Sequence, residues 1–428
     1  MLPTNPRKIR HLLIGISATF LLLTSSSFGN AFVLELGDGV AINRASGLYL
    51  HSRDGRETEL VEIDARQDDL PILRDLGQPS VADDGSVLFS GMVFESGRPR
   101  WIMFRADAGD SLGRVMRIAI PKSNGAFPEP VMNVDPRPEF DAGGGLVFVA
   151  RDANNSEAIY RIAEGELSRL AAIGDATGDG RHLKHIEFGS VTSWAPGACA
   201  FVGFLDGDKQ AELFVSKQDG LRAMAVESDS ATGGGVFKRN FGLPAAVSPL
   251  PRADGNLVAF TARTTTGDGL FVYDSKLQQI PLSGMACGKA GLNFYSTGRP
   301  GLDANGRIAL MAQCDKTPVL VSADAYRRRE VLVLASPEAH PGPVLASVAD
   351  PFLLDSGAIL FGGSNGDQRE AIYQLTSGKT LEDLTETRAN AVPAADTLES
   401  TKHTVCAVTV SANRNGDFAY LGSALSHN

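Results

Sequence analysis

Hydrophobic and polar positions alternate along most of the chain in short runs, and polar turns that contain glycine bound these runs. Seven turns and the strands that follow them resemble one another: ADDGSVLFSG (82–91), DAGGGLVFVA (141–150), APGACAFVGF (195–204), ADGNLVAFTA (253–262), DANGRIALMA (303–312), DSGAILFGGS (355–364) and NRNGDFAYLG (413–422). The glycines assigned to these turns are 51 to 60 residues apart: Gly85, Gly145, Gly197, Gly255, Gly306, Gly357 and Gly416. A period of this length indicates an array or a propeller.

Each copy continues with two more strands. AIYRIA (158–163) and LSRLAAI (167–173) are examples, with Glu164-Gly165 as the turn between them, and a short strand such as PVMNV (130–134) precedes each glycine turn. Alternation, β-branched and aromatic residues and turn chemistry predict a chain that is mostly β. Four antiparallel strands every 50–60 residues match one propeller blade. A solenoid is the competing geometry, because it also stacks repeats.

The two ends of the chain favour a ring over a solenoid. The last repeat stops after its inner strands, at residues 416–428, and residues 46–64 contain the outer strands that this repeat lacks. A blade completed from both ends closes the ring and removes unpaired strand edges. We therefore predict an all-β, seven-bladed β-propeller of four-stranded antiparallel blades, in which Leu48–Leu50 lies beside Phe418–Leu421.

Three of the turns carry a family resemblance, in Asn305–Ala309, Asn415–Tyr420 and Asp254–Phe260. They resemble the bacterial secreted tandem repeats with an Asn-x-x-Gly-x-x-Ala-Phe consensus, which occur with varied surface anchors. More loosely, the chain is similar to TolB-like β-propellers. The resemblance implies a propeller-like fold and a secreted protein, and it brings no catalytic residues. An apolar sorting tail is not seen before Asn428, so release or periplasmic residence is expected rather than surface attachment.

The first 31 residues have the layout of a secretory signal peptide. Arg7, Lys8 and Arg10 are basic, Leu12–Thr24 is apolar, and small residues follow up to Ala31. The alternative is an uncleaved anchor, but the apolar run is shorter than the roughly 20 residues that span a bilayer. We predict a signal peptide at 1–31 and a single β-propeller domain at 32–428.

Charge and cysteine content restrict the function classes. The formal net charge is −10, which argues against nucleic acid, because its recognition depends on Lys and Arg against phosphate. No second apolar run of spanning length occurs, so no integral membrane segment is expected in the mature chain. Two of the four cysteines, Cys287 and Cys314, are predicted to form a disulfide, whereas Cys199 and Cys406 are expected to be separate thiols.

Two short motifs raise the question of metal binding. His182 and His185 have a His-x-x-His spacing, but they lie in a loop rich in Gly and Asp, and we interpret them as polar loop residues. Asp175-x-Thr177-x-Asp179-Gly180 is similar to the start of a calcium loop, but Ile186 stands at the twelfth position, where a Glu is required. Neither motif predicts a metal site. No catalytic motif occurs, and no cofactor is expected.

Function in propellers concentrates where long loops meet at one end of the channel. The candidate binding residues at this end are Arg98, Arg100, His182, His185, Lys238, Arg239 and Tyr295. The leading hypothesis is a non-enzymatic, secreted or periplasmic binding module for an extracytoplasmic protein or glycan. A propeller hydrolase or lyase with a channel-mouth site, with or without a divalent metal, is the alternative. A purely structural repeat protein is the third.

Overall fold

The computed structural model describes residues 47–424, with gaps between its strands. The residues outside the description are 54, 67–69, 108–114, 121–132, 153, 155, 217–218, 248–256, 281–291, 295–297, 315–316, 327–328, 336–344, 349, 366–369, 377–380 and 385–402. Residues 45–428 form one unit. The predicted boundary between residues 31 and 32 lies outside the described residues.

The chain enters the ring with β1 (Gly47–His51) and β2 (Glu57–Glu62). Among the described residues, six sheets follow in chain order, each of five short strands. Blades 1 to 3 contain β3 (Asp75–Leu76), β4 (Ser80–Val81), β5 (Val87–Glu95), β6 (Arg98–Ala106) and β7 (Val115–Arg117); β8 (Asn133–Val134), β9 (Glu139–Phe140), β10 (Leu146–Arg151), β11 (Glu157–Ala163) and β12 (Glu166–Ala172); β13 (Leu183–Ile186), β14 (Thr192–Ala195), β15 (Ala198–Leu205), β16 (Lys209–Ser216) and β17 (Gly220–Val226).

Blades 4 to 6 repeat this order. They contain β18 (Phe237–Phe241), β19 (Ala245–Val247), β20 (Leu257–Thr264), β21 (Gly267–Asp274) and β22 (Lys276–Ile280); β23 (Leu292–Phe294), β24 (Gly301–Leu302), β25 (Arg307–Cys314), β26 (Thr317–Asp324) and β27 (Arg329–Ala335); β28 (Leu345–Val348), β29 (Phe352–Leu353), β30 (Ile359–Asn365), β31 (Glu370–Leu375) and β32 (Leu381–Asp383). The chain then forms β33 (His403–Ala412) and β34 (Phe418–Ala424). The described residues contain no helix, so none of them forms a helix that could span a membrane.

The seventh blade joins the two ends of the chain, as predicted. Its strand order is β2-β1-β34-β33, and Leu48 pairs with Leu421 while Leu50 pairs with Ala419. The rings of Tyr49 and Tyr420 stack with their centroids 5.5 Å apart across this junction. The prediction of an all-β, seven-bladed propeller closed by N-terminal strands is therefore confirmed.

The innermost strand of each of blades 1 to 6 is broken into two pieces. In blade 2, β8 pairs with the end of β10, and β9 pairs with its beginning. The sequence predicts one short strand before each glycine turn, and the structure instead has two short pieces. The second pieces contact one another around the channel, from β4 through β9, β14, β19 and β24 to β29, and β33 contacts β4. The residues at the breaks can therefore lie at the channel.

The glycine turns hold the repeated hairpins at one end of the blades. In five of them the glycine N–H donates to the carbonyl three residues earlier: Gly85 to Ala82, Gly144 to Asp141, Gly306 to Asp303, Gly357 to Leu354 and Gly416 to Asn413. The second turn glycine is therefore Gly144, at φ +75°, and the prediction of Gly145 was one residue late. A Cβ on Gly145 would lie 2.8 Å from the Asp141 carboxylate, so close packing explains this glycine. Gly255 lies outside the described residues.

The core lies between neighbouring blades. Val147 and Val149 of blade 2 pack against Cys199 and Phe201 of blade 3, and similar clusters join the other neighbours. Alternate residues of one strand face the preceding and the following blade, which is why the second strands are apolar at almost every position. Each fully buried aliphatic or aromatic side chain contributes roughly 1.5–3 kcal/mol.

Candidate functional site

The connections between blades and the hairpins between second and third strands lie at the same end of the ring, here called the mouth. The first piece of the inner strand pairs with the end of the second strand, as Leu183 with Leu205 and Phe237 with Thr264. The entry to each blade therefore lies beside the hairpin that leaves its second strand.

A buried carboxylate from blade 2 organises the mouth between blades 2 and 3. Glu157 begins β11, and its side chain is only 5% exposed. Arg151 donates to its Oε1 from Nε (3.0 Å) and from Nη2 (2.7 Å). The Ile186 N–H donates to Oε2 (3.0 Å), and His185 Nδ1 lies 2.5 Å from the same oxygen. The hydrogen bonds place the imidazole of His185, which is 42% exposed, at the surface of the mouth.

Cations and aromatic rings alternate from blade 2 to blade 4. The guanidinium of Arg151 lies 4.6 Å from the centroid of the Phe188 ring. The imidazole of His185 lies 5.5 Å from the ring of Phe204, and the guanidinium of Arg239 lies 5.6 Å from that ring. We call these five residues and Glu157 the mouth cluster. Phe188 and Phe204 are half-buried, so their rings support the cations while remaining partly accessible.

Arg239 is held at its edge of the mouth cluster by acceptors of blade 3. Its Nε donates to Glu227 Oε2 at 3.2 Å, and its Nη2 donates to the carbonyl of Asp208. The Gln210 side chain fixes the same strand, because its Oε1 accepts the N–H of Asn240 at 2.7 Å. Arg239 is 58% exposed despite these bonds, so a partner in solution can reach it.

The charges of the mouth cluster depend on one another. The hydrogen bond to Glu157 raises the pKa of His185 above its ordinary value, although desolvation opposes this shift. Burial acts against ionisation of Glu157, but the donors His185, Ile186 and Arg151 together lower its pKa. Burial raises the pKa of the neighbouring Glu187. The arrangement favours a protonated His185 beside an ionised Glu157.

The two histidines of the His-x-x-His spacing interact with different carboxylates. His182 Nδ1 lies 3.0 Å from Asp206 Oδ2, and Lys184 Nζ lies 3.1 Å from Asp206 Oδ1. The donors His182 and Lys184 lower the pKa of Asp206 to about 2. His185 contacts Glu157, whereas His182 contacts Asp206. The two imidazoles therefore do not face a common metal position in this structure.

The remaining predicted residues are less closely associated. Arg98 and Arg100 lie on β6 in blade 1, where Arg100 forms an ion pair with Glu95 at 3.4 Å. Lys238 is exposed on β18, next to Arg239. Tyr295 lies outside the described residues. The structure thus brings His185 and Arg239 together through Phe204. Within the described part of the chain, no contact joins Arg98 or Arg100 to the mouth cluster.

The loop that is similar to a calcium site forms a small hairpin. The Thr177 N–H donates to the Arg181 carbonyl at 2.7 Å, and the Gly180 N–H donates to the Thr177 carbonyl at 2.9 Å. Arg181 forms ion pairs with Asp179 at 3.2 Å and with Asp229 of the next connection at 2.8 Å. The carboxylate of Asp179 is thus paired with an arginine in this structure.

The predicted cysteine chemistry is largely outside the described part of the chain. Cys287 and the side chains of Cys314 and Cys406 lie outside it, so the Cys287–Cys314 disulfide stays a prediction. Cys199 is a buried free thiol in β15, as expected, and burial raises its pKa.

Glu157, Arg151, Phe188 and Phe204 were missed by the sequence reasoning. Glu157 could have been detected from the sequence, because it is a charged residue at the start of the otherwise apolar, buried strand EAIYRIA. Its burial pattern starts with four buried residues, so the carboxylate must be paired.

Comparison with known proteins gives one family match and several likenesses in structure. A model of the family described as "Family of unknown function (DUF7453)" matches residues 24–327. No sequence among curated proteins matches the chain.

Among solved structures, the chain is similar to a putative TolB from Agrobacterium tumefaciens, with 11% identity and a TM-score of 0.38, over 90% of this chain and 100% of that chain. It is also similar to the β-propeller domain of the Trilobed protease from Pyrococcus furiosus, with 9% identity and a TM-score of 0.36, over 77% and 99% of the two chains. A protein from Lactobacillus plantarum shows 12% identity and a TM-score of 0.39, over 79% and 94%.

Proposed function

This chain belongs to DUF7453, a family of unknown function, and from the geometry of its mouth we propose that it is a non-enzymatic binding module for an extracytoplasmic protein. The mouth cluster carries the proposal. Two arginines, from blades 2 and 4, and a histidine of blade 3 lie against two phenylalanine rings of blade 3. Arginine and aromatic side chains are enriched at the centres of protein interfaces.

The mouth cluster is pre-organised, which favours binding. Arg151 and Arg239 are each held by carboxylates, so little side-chain entropy remains to be lost when a partner docks. A glycan is the other occupant that we considered, since aromatic rings also stack on sugars. The protein is favoured because arginines already lie over both rings, which leaves less of each ring face for a sugar.

The test is capture of partners from the envelope and secreted fractions of the source cell. We expect one or a few proteins to bind the wild-type chain and to be lost with Arg239→Ala and with His185→Ala. Arg222→Ala is the matched control, because Arg222 forms an exposed ion pair with Asp219 on the outer strand of blade 3, away from the mouth. Each truncation at an interface hot spot costs about 2 kcal/mol or more, which weakens binding by about 30-fold.

Three outcomes would contradict the proposal. Captured proteins that bind both mouth variants as well as the wild type would place the interface elsewhere. Binding to a glycan panel that is lost with Arg239→Ala would identify a glycan instead of a protein. Equal loss with a folded Arg222→Ala variant would show that binding does not depend specifically on the mouth cluster.

A second candidate function is catalysis by a hydrolase or lyase, which the His185–Glu157 pair favours. A buried carboxylate on Nδ1 orients the imidazole and raises its basicity, and this is how general bases are positioned. The same arrangement supports histidines that bind metals through the other ring nitrogen. Stoichiometric metal in the purified protein, or turnover in a hydrolase and lyase screen, that is lost with His185→Asn would favour this candidate over the first.

A further inference from the structure

A cleft opens between blades 4 and 5 at the end of the ring opposite the mouth. It lies beside the β21–β22 hairpin of blade 4 and the turn that follows β26 in blade 5. Its floor is formed by Leu257, Val272 and Ala325, which are at most 7% exposed and belong to the core between these two blades. Its volume is about 70 Å³, several times the space that one water molecule needs. The cleft therefore has room for a few atoms of a ligand above an apolar floor.

One wall of the cleft is an aromatic ring that is held in place. Tyr326 is 44% exposed, and its N–H donates to Asp324 Oδ1 at 3.0 Å. The N–H of the preceding Ala325 donates to the Gly306 carbonyl at 2.8 Å. A Cβ on Gly306 would lie 2.6 Å from the Tyr326 ring, so the ring packs directly on this glycine. The ring is therefore pre-positioned, and a ligand that stacks on it loses little affinity to ordering of the side chain.

Three polar side chains of blade 4 line the same cleft. Asp274 is paired with Lys276 across the β21–β22 hairpin, and Gln278 is paired with Val272. Alternate residues of a strand share one face, so all three side chains project from the face that lines the cleft. Among the residues that the structure describes, none of the three has a hydrogen-bond or ion-pair partner. A carboxylate, an ammonium and an amide are therefore available beside the exposed ring.

These polar groups favour a neutral ligand that both donates and accepts hydrogen bonds. A carboxylate only accepts, an ammonium only donates, and an amide does both. The charges of Asp274 and Lys276 cancel, so a net charge on the ligand would be left without compensation. Neighbouring hydroxyl groups of a sugar ring supply donors and acceptors side by side, and the C–H face of such a ring packs on aromatic rings.

We propose that this cleft binds a neutral pyranose residue of a glycan, which stacks on Tyr326 and directs its hydroxyl groups toward Asp274, Lys276 and Gln278. One edge of the sugar ring enters the cleft, and the neighbouring sugars of the glycan extend into solvent. The site and the mouth cluster lie at opposite ends of the ring. Glycan binding here is therefore independent of the protein partner proposed for the mouth.

The test is saturation-transfer NMR titration of the full chain with neutral tetrasaccharides of glucose, mannose, galactose and N-acetylglucosamine. Sorbitol is the acyclic control, because it has hydroxyl groups but no ring face. We expect at least one tetrasaccharide to bind and sorbitol not to bind. Tyr326→Ala should weaken binding by about 2- to 10-fold, the range for an aromatic stacking contact. Asp274→Ala should weaken it by about 10-fold or more, because a hydrogen bond to a charged group is lost.

Control variants separate loss of the site from indirect effects. Tyr326→Phe keeps the ring and should retain binding. Phe94→Ala removes an aromatic side chain that is 57% exposed on β5 of blade 1, and it should leave binding unchanged. Failure of the wild type to bind any of the tetrasaccharides, or equal binding by a folded Tyr326→Ala variant, would overturn the proposal. Loss of binding with Arg239→Ala but not with Tyr326→Ala would place the glycan at the mouth instead.

Discussion

Replacement of Glu212 by glutamine should stabilise the protein, increasingly so as the pH rises. Glu212 lies in β16, pairs with Val202, and is fully buried between blades 3 and 4. Neither carboxyl oxygen has a hydrogen-bond partner among the described residues. In each of the other six blades, the residue at the equivalent position of the third strand is apolar: Met103, Ile159, Leu270, Leu320, Ile372 and Leu48.

The size of the stability gain expected for Glu212→Gln follows from the linkage between proton binding and folding. Burial raises the pKa of Glu212 well above its ordinary value of 4.5, and the charge of Arg299 opposes this only in part. The folded state therefore retains a proton that the unfolded state releases. The wild type has its full stability below the unfolded pKa and loses about 1.4 kcal/mol per pH unit above it, until the folded pKa is reached. Glutamine stays neutral and avoids this loss.

The assay is urea unfolding followed by fluorescence at pH 4.5, 5.5, 6.5 and 7.5. Trp194 is a suitable probe, because it is 5% exposed and packs in the core between blades 3 and 4. We expect Glu212→Gln to match the wild type at the lowest pH and to gain about 1.4 kcal/mol per unit above it. The control Leu270→Gln places an amide at the same position of blade 4, and its cost should not vary with pH.

A difference between Glu212→Gln and the wild type that stays constant with pH would refute the reasoning. It would mean that Glu212 titrates alike in the folded and unfolded states. A variant less stable than the wild type at pH 7.5 would show that the carboxylate is ionised and compensated in the fold.

Three other predictions concern the ring, the mouth and a turn. Leu48→Ala removes a fully buried side chain from the closing blade and should lower the free energy of unfolding by about 2–5 kcal/mol in urea, whereas a loss under 1 kcal/mol would contradict the closure. Glu157→Gln removes the anion that raises the pKa of His185, so NMR titration should show that pKa falling, and an unchanged value would be inconsistent with the 2.5 Å contact. Gly144→Ala should cost about 1–2 kcal/mol because φ is +75° with open space around the site, and Gly144→Asn should cost less in the same urea experiment.

The site was predictable only in part. His185 and Arg239 were singled out because they lie in long loops at one end of the ring, and the structure places them on either side of Phe204. Phe204 was missed because it belongs to a strand that was interpreted as core, and Glu157 was missed because it directly precedes the predicted strand AIYRIA (158–163). Their roles come from contacts between blades, and strand periodicity carries no information about such contacts.

The architecture could be predicted from the amino-acid sequence, because short-range features of the chain build each blade. Glycine turns and alternating strands are short-range features, and the position of Leu48–Leu50 beside Phe418–Leu421 followed from counting strands at the two ends. The contacts across the channel and between blades, by contrast, depend on how the blades are arranged in the ring. Arg299 and Glu139 are 160 residues apart and touch because the ring curves back on itself. The burial of Glu212 likewise depends on the blade that packs against it, so a residue that looks like an ordinary polar position along the strand is a buried acid in the fold.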